Sequence, residues 1–171
     1  MTAIETALAS GASEPKGSFA DLGVPDVLRK TLLDKGVVNP TENQQAAYGP
    51  MAQGADAILQ SQTGTGKTAA YVLPLLSRMA PGSTGVRVLV LVPTRELALQ
   101  VAAEANSFAT TLSLMVSTVY GGVPIDRQVK ALAAGANFVV GTPGRVLDLL
   151  SRKLLDVGRL QALVLDEADE M

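Results

Sequence analysis

Ser61-Gln62-Thr63-Gly64-Thr65-Gly66-Lys67-Thr68 is the stretch whose reading decides the fold. Gly64 and Gly66 let the backbone curl so that successive N–H groups face one point. Lys67 adds a point charge for the β- and γ-phosphates of a nucleotide, and the Thr68 hydroxyl can ligate Mg²⁺. The strict pattern Gly-x-x-x-x-Gly-Lys-[Ser/Thr] asks for glycine where this chain has Ser61. Alone, the stretch is compatible with a plain strand-to-helix turn.

A second string removes most of that ambiguity. Asp166-Glu167-Ala168-Asp169 closes the apolar run Leu163-Val164-Leu165. Asp166 can hold a metal directly or through water, and Glu167 can take a proton from an attacking water. By composition such acids also suit a solvated loop. A phosphate cradle followed downstream by paired acids behind an apolar strand points to a nucleotide hydrolase.

Composition narrows the chemistry. Of 171 residues, 47% are apolar and 18% charged, which fits one globular domain able to bury a core. With no cysteine and no histidine, thiolate and imidazole chemistry are excluded, so carboxylates must carry any acid–base step. No apolar run approaches the ~20 residues that span a bilayer, and no signal peptide is seen. A soluble cytoplasmic protein without membrane contact is the expectation. Net charge is −2, so nucleic-acid contact would have to be local, built from a few arginines and backbone N–H groups.

Residues 1–18 read as a flexible tail, rich in Ala, Ser, Gly and Glu. Helices are predicted near 25–35 and 42–53. A regular alternation follows, with strands near 56–60, 86–92, 114–119, 137–140 and 161–165. Helices are predicted near 67–79, 94–109, 124–134 and 143–152. This alternation implies an α/β fold with a parallel sheet covered by helices on both faces.

The unusual residues fall after the strands. The phosphate stretch follows the first, Pro93-Thr94-Arg95-Glu96 the second and Gly121-Gly122 the third. Thr142-Pro143-Gly144-Arg145 follows the fourth and Asp166 the fifth. All therefore lie at strand carboxyl ends, the edge where open α/β sheets bind ligands. Thr142-Pro143 and Pro93-Thr94 also suit helix starts, whose free N–H groups accept phosphate. Capping with surface arginines, and a tight turn at Gly121-Gly122, are the plainer readings of each string alone.

Taken together, these strings resemble the first RecA-like domain of the DEAD-box ATP-dependent RNA helicases over residues 19–171. The motifs are Gln-Thr-Gly-Thr-Gly-Lys-Thr at 62–68, Pro-Thr-Arg-Glu-Leu-Ala at 93–98, Gly121-Gly122, Thr-Pro-Gly-Arg at 142–145 and Asp-Glu-Ala-Asp at 166–169, in the family's order. The resemblance implies a RecA-like P-loop fold, with ATP and Mg²⁺ as cofactors. It implies that Gln62, Thr63, Gly64, Thr65, Gly66, Lys67 and Thr68 bind the phosphates. Thr68 and Asp166 would serve the metal, and Lys67, Asp166 and Glu167 the catalysis. Pro93, Thr94, Arg95, Gly121, Gly122, Thr142, Pro143, Gly144 and Arg145 would grip the RNA backbone without reading sequence. Contact with the 2′-hydroxyl is how such a site can prefer RNA to DNA.

Gly36 to Gln44 resembles the family's adenine-sensing segment, with Gln44 on the base and Phe19 as the isolated upstream aromatic. Val37 stands where an aromatic is usual, Asn43 where isoleucine is usual and Gly49 where proline is common. Weaker adenine stacking is expected.

The family continues past its acids with a Ser-Ala-Thr segment, a linker and a second RecA-like domain that completes the ATP site and RNA cleft. The sequence stops at Met171, so a C-terminally truncated domain lacking one central strand is expected, monomeric and nearly inactive without its partner domain. Two other readings stay open: an isolated nucleotide-dependent RNA clamp that does not turn over, and a related P-loop helicase acting on DNA.

Overall fold

The computed structural model describes residues 4–6, 17–60 and 66–171. The chain divides into two compact units, Met1–Met79 and Ala80–Met171.

The first unit is built on a helix pair. α1 spans Asp26–Asp34 and stops at Gly36, whose φ of +75° is the left-handed turn that glycine adopts without strain. α2 spans Glu42–Ala52 and starts on a reciprocal cap. The Thr41 hydroxyl accepts from the Gln44 N–H, and the Gln44 side chain accepts from the Thr41 N–H. α3 spans Lys67–Ser77 and packs against α2, with Ala69 through Leu76 all buried. Pro74 lies inside it. The Tyr48 hydroxyl donates to Ser77 Oγ at 2.9 Å, tying α2 to the end of α3. Burial pushes the Tyr48 phenol up from its usual range.

β2 spans Ala57–Leu59 and pairs in parallel with β1, Ile4–Thr6. Those three residues are a strand within the segment that composition reads as a tail. Ile58 is exposed.

The second unit holds a parallel sheet of four strands: β3 (Val88–Leu91), β4 (Val116–Val119), β5 (Phe138–Gly141) and β6 (Ala162–Leu165). Their order across the sheet is β4-β5-β3-β6. α4 (Arg95–Ala109), α5 (Ile125–Ala133) and α6 (Pro143–Ser151) connect them in turn. The β3-to-β4 step runs one way along the sheet, and the next two steps run the other way. Parallel crossovers are right-handed, so α4 lies on one face and α5 and α6 lie on the opposite one.

The side chains agree with this layering. Leu89, Val119 and Val139 join Val146 and Leu149 of α6 in one apolar cluster, with Ile125, Val129 and Leu132 of α5 packed against it. Strand side chains alternate between faces, which sends Val88, Val90, Phe138 and Val140 to the other face. All four are nearly inaccessible. β6 is an edge strand of this sheet among the described residues, and its Leu163 and Leu165 are exposed.

Asn137 locks the amino-terminal ends of the strands. Its amide donates to the Ser83 carbonyl at 2.5 Å and accepts from the Met115 N–H at 3.0 Å, while 2% exposed. Such a fully bonded buried amide fixes strand alignment, because a slip would leave its polar ends unpaired.

Candidate nucleotide and nucleic-acid site

Register places the sequence strings. Leu91 of β3 is level with Gly141 of β5 and with Leu165 of β6, and Val119 of β4 is also level with Gly141. The strands are parallel, so Tyr120, Val92, Thr142 and Asp166 each lie one step past the same row. The second unit therefore carries Pro93-Thr94-Arg95, Gly121-Gly122, Thr142 to Arg145 and the acidic string along one edge of one sheet.

Each string has a local reason for its shape. The Thr94 hydroxyl accepts from the Leu97 N–H at 3.2 Å, capping α4. Arg95 in the first turn is exposed, with its guanidinium carbon 4.9 Å from the Tyr120 ring centroid. A cation over a tyrosine face at this distance is worth about 0.5–1 kcal/mol when exposed, enough to bias the side chain. Gly122 has φ +79°, and both Gly121 and Gly122 are open to solvent.

Thr142 occupies the start of α6 with extended backbone, and Pro143 takes the first helical position. The Thr142 hydroxyl caps no N–H. Its backbone does the work instead: the N–H donates to the Val119 carbonyl and the carbonyl accepts from the Val146 N–H. The residue before it must be glycine, because a Cβ on Gly141 would stand 2.6 Å from the Val119 carbonyl oxygen. Gly144 is exposed with open space around it. Arg145 is half-buried; its Nη1 donates to Gln128 Oε1 at 2.9 Å and its Nη2 to the Val123 carbonyl at 3.0 Å.

Asp166 continues the ladder, its N–H donating to the Leu91 carbonyl, and is 7% exposed. Glu167 breaks the strand with φ +52° and ψ +48°. A residue with a Cβ holds that conformation at a cost of about 1–2 kcal/mol. Strain of this kind concentrates where a side chain must be aimed away from the strand's alternation.

In the first unit, Ser61, Gln62, Thr63, Gly64 and Thr65 lie outside the described residues. Gly66 precedes α3 with φ +77°, and Lys67 and Thr68 form the first turn. Helix geometry leaves the first N–H groups of α3 without intrahelical partners, and the N-cap residue, Gly66, has no side chain to cap them. Free N–H groups at a helix start are of the kind that suits an anion.

Gln44 approaches from α2, with Nε2 donating to the Gly66 carbonyl at 3.2 Å. A Cβ on Gly66 would stand 2.6 Å from that nitrogen. Glycine is thus favoured there by backbone angle, and a Cβ would also displace the Gln44 amide. Gln44 is 4% exposed, and its amide joins the α2 cap to Gly66. Phe19 is also 4% exposed, its ring enclosed rather than displayed. Val37 is half-buried and closes the α1 turn by donating to the Leu32 carbonyl.

No group of three or more His, Cys, Asp or Glu that could hold a metal exists among the described residues. Mg²⁺ in a nucleotide site takes one or two protein ligands and completes its shell with phosphate oxygen and water. The Thr68 hydroxyl and the Asp166 carboxylate are hard oxygen donors of the right kind.

Two residues carry weight that sequence alone did not reveal. Gln128 and Tyr120 organise the Gly121-Gly122 turn, and neither belongs to a recognisable string. The Thr41-x-x-Gln44 cap is by contrast a spacing legible in the sequence.

The family profile described as DEAD/DEAH box helicase matches residues 41–171. The chain is 48% identical over 154 residues to the RNA helicase CrhR of Synechocystis sp., covering 90% of this chain and 31% of that protein. It superposes with a TM-score of 0.83 on the crystal structure of a DEAD box protein from the hyperthermophile Methanococcus jannaschii, at 37% identity, covering 90% of this chain and 42% of that one. A crystal structure of a hypothetical ATP-dependent RNA helicase from Sulfolobus tokodaii matches with a TM-score of 0.76 at 36% identity, covering 84% of this chain and 41% of that one. The chain thus spans about a third of the curated relative. Profile, relative and solved structures agree with the row of strings at the sheet edge: the chain belongs to the DEAD/DEAH box helicase family.

Proposed function

We propose that this chain is the ATP- and RNA-binding first domain of an ATP-dependent RNA helicase. Joined to a second RecA-like domain, it would couple ATP hydrolysis to local separation of RNA strands. The observation that carries this reading is the shared register of Leu91, Val119, Gly141 and Leu165, which lines the strings up on one edge.

Each group has a role. The N–H groups at the start of α3 hold phosphate, and Lys67 places its ammonium on the β- and γ-oxygens. Thr68 on the first unit and Asp166 on the second each offer a hard oxygen donor for Mg²⁺, which when bound would neutralise charge on the transferring phosphate. Glu167 orients the attacking water and takes its proton. Gln44, already bonded to Gly66, would report adenine occupancy to the phosphate loop. Arg95, the Thr142 hydroxyl and the N–H groups of Gly121, Gly122 and Gly144 would hold the sugar–phosphate backbone, giving affinity without sequence preference. No described helix is long and apolar enough to cross a membrane.

Hydrolysis needs compensation of charge on the γ-phosphate, and an arginine from outside the loop is worth roughly 10³–10⁵ in rate. The second domain would bring it. The test is ATP turnover by the two-domain protein with single-stranded RNA or with DNA of the same sequence. Strong stimulation by RNA alone supports the reading. Equal stimulation by DNA would favour a DNA helicase, and no stimulation by either would reduce the chain to a clamp.

A further inference from the structure

The two arginines in the strand-end row occupy equivalent places, each in the first turn of a helix, yet they are engaged differently. Arg95 is exposed and makes no hydrogen bond among the described residues, resting on the Tyr120 ring. Arg145 is half-buried and already holds two acceptors, Gln128 Oε1 and the Val123 carbonyl. Gln128 in turn donates Nε2 to the Tyr120 carbonyl at 3.0 Å.

The geometry brackets one turn. Tyr120 precedes Gly121-Gly122 and Val123 follows it, so the Gln128–Arg145 pair bonds the backbone on both sides. α5 is an unusual place for this amide. Its other inward residues are Ile125, Val129 and Leu132, while Gln128 is 7% exposed. A buried amide persists there because both ends are bonded; an apolar replacement would leave the Tyr120 carbonyl and an Arg145 N–H unpaired. The guanidinium matters by its shape. A planar fork holds two acceptors in fixed directions, which an ammonium on a flexible stem does not reproduce.

We propose that Gln128 and Arg145 are positioning residues. They set the Gly121-Gly122 turn so that its N–H groups meet RNA phosphate, and Arg145 acts through that turn rather than as a phosphate ligand. The proposal rests on the RNA-binding reading above and changes the job of Arg145 within it. Arg95 remains the arginine that meets the strand.

Salt dependence separates the two jobs. Removing a cation that neutralises a phosphate lowers the slope of log K against log salt by about 0.7 for a single strand. Removing a positioning residue weakens binding and leaves the slope unchanged. The experiment measures affinity of the two-domain protein for a uridine oligomer with a non-hydrolysable ATP analogue, between about 50 and 200 mM KCl. Arg95→Ala should lower the slope. Arg145→Ala and Arg145→Lys should both weaken binding about tenfold at unchanged slope, even though lysine keeps the charge. Gln128→Ala should match them, and the Gln128→Ala/Arg145→Ala double variant should be no weaker than either single change.

Circular dichroism checks that each variant is folded; Arg145→Lys, which keeps charge and most of the volume, carries the test if Gln128→Ala does not fold. Full affinity in Arg145→Lys, with a reduced slope in Arg145→Ala, would overturn the positioning role and leave RNA binding standing. Absence of salt-dependent RNA binding in the unaltered protein would overturn the RNA reading itself.

Discussion

The two units hold their candidate groups by different means. In the second unit the sheet does the placing. Four parallel strands in common register set Tyr120, Val92, Thr142 and Asp166 one step past one row. Apolar layers of nearly inaccessible Val88, Val90, Phe138 and Val140 hold that row. In the first unit the placing is done by one helix start and one buried side chain. Gly66 opens α3, and Gln44 bonds its carbonyl. A site set by sheet register should tolerate loss of one side chain without losing its shape. A site set by a single amide should not.

The largest effect should come from the sheet-held unit and should be chemical rather than structural. In the two-domain protein, Glu167→Gln should cut ATP turnover roughly 10²–10⁴-fold while leaving nucleotide and RNA binding in place, because a general base is lost and the strand register is not. Single-turnover hydrolysis measured beside equilibrium binding checks both halves. Near-normal kcat would remove Glu167 from the base position.

Next comes the cation of the helix-held unit. Lys67→Ala should remove most ATP affinity, since the loop loses its fixed positive charge for the γ-phosphate. Titration with a fluorescent nucleotide reads this, and unchanged affinity would mean that the start of α3 is not the phosphate site.

Thr41 and Gln44 sharpen the contrast further. Both take part in the α2 cap, but Gln44 is the one that hydrogen-bonds the Gly66 carbonyl. Thr41→Ala should cost about 1 kcal/mol of stability as a lost cap and leave nucleotide affinity nearly intact. Gln44→Ala should cost at least as much and weaken nucleotide binding as well. Melting curves and ADP titrations of the two variants would decide it; equal effects on nucleotide binding would deny Gln44 its link to the loop.

The strings at the strand ends were legible in the sequence because each breaks a period. Pro93, Gly121-Gly122, Thr142-Pro143 and the acids interrupt apolar runs, and the runs have strand or helix spacing. The predicted elements from α1 to β6 accordingly match the observed ones to within a few residues. What escaped the sequence is what tertiary packing decides. Gln128 reads as one polar residue on an amphipathic helix, and nothing local says that its amide turns inward. Thr142 reads as a capping hydroxyl, yet its backbone carries the bonds and the hydroxyl does not cap. Ile4–Thr6 lacks the length or turn signals of a strand, and its pairing to β2 is non-local. Phe19 reads as an available aromatic, and its ring is enclosed.

The smallest effect concerns the turn between Ser18 and Asp21. The Asp21 carboxylate accepts from the Ser18 N–H and hydroxyl, both at 2.8 Å, which holds it below the usual carboxylate range. A carboxyl lowered by folding stabilises the fold above its ordinary pKa of about 4 and loses that contribution as pH falls further. Asp21 is exposed, so water screens most of the effect. Asp21→Asn should flatten the fall in melting temperature below about pH 4 slightly. An unchanged acid slope would show that the Ser18–Asp21 turn contributes nothing measurable.

The central claim is that separate sequence strings form one strand-binding edge on the second unit. Hydrogen–deuterium exchange of the two-domain protein, with and without a uridine oligomer plus a non-hydrolysable ATP analogue, tests it most directly. The account predicts that RNA slows exchange together at Arg95, at Gly121 and Gly122, and at Gly144 and Arg145, while the Asn137 end of the same sheet is unaffected. Slowing at only one of these strings, or equal slowing at both ends of the sheet, would contradict it.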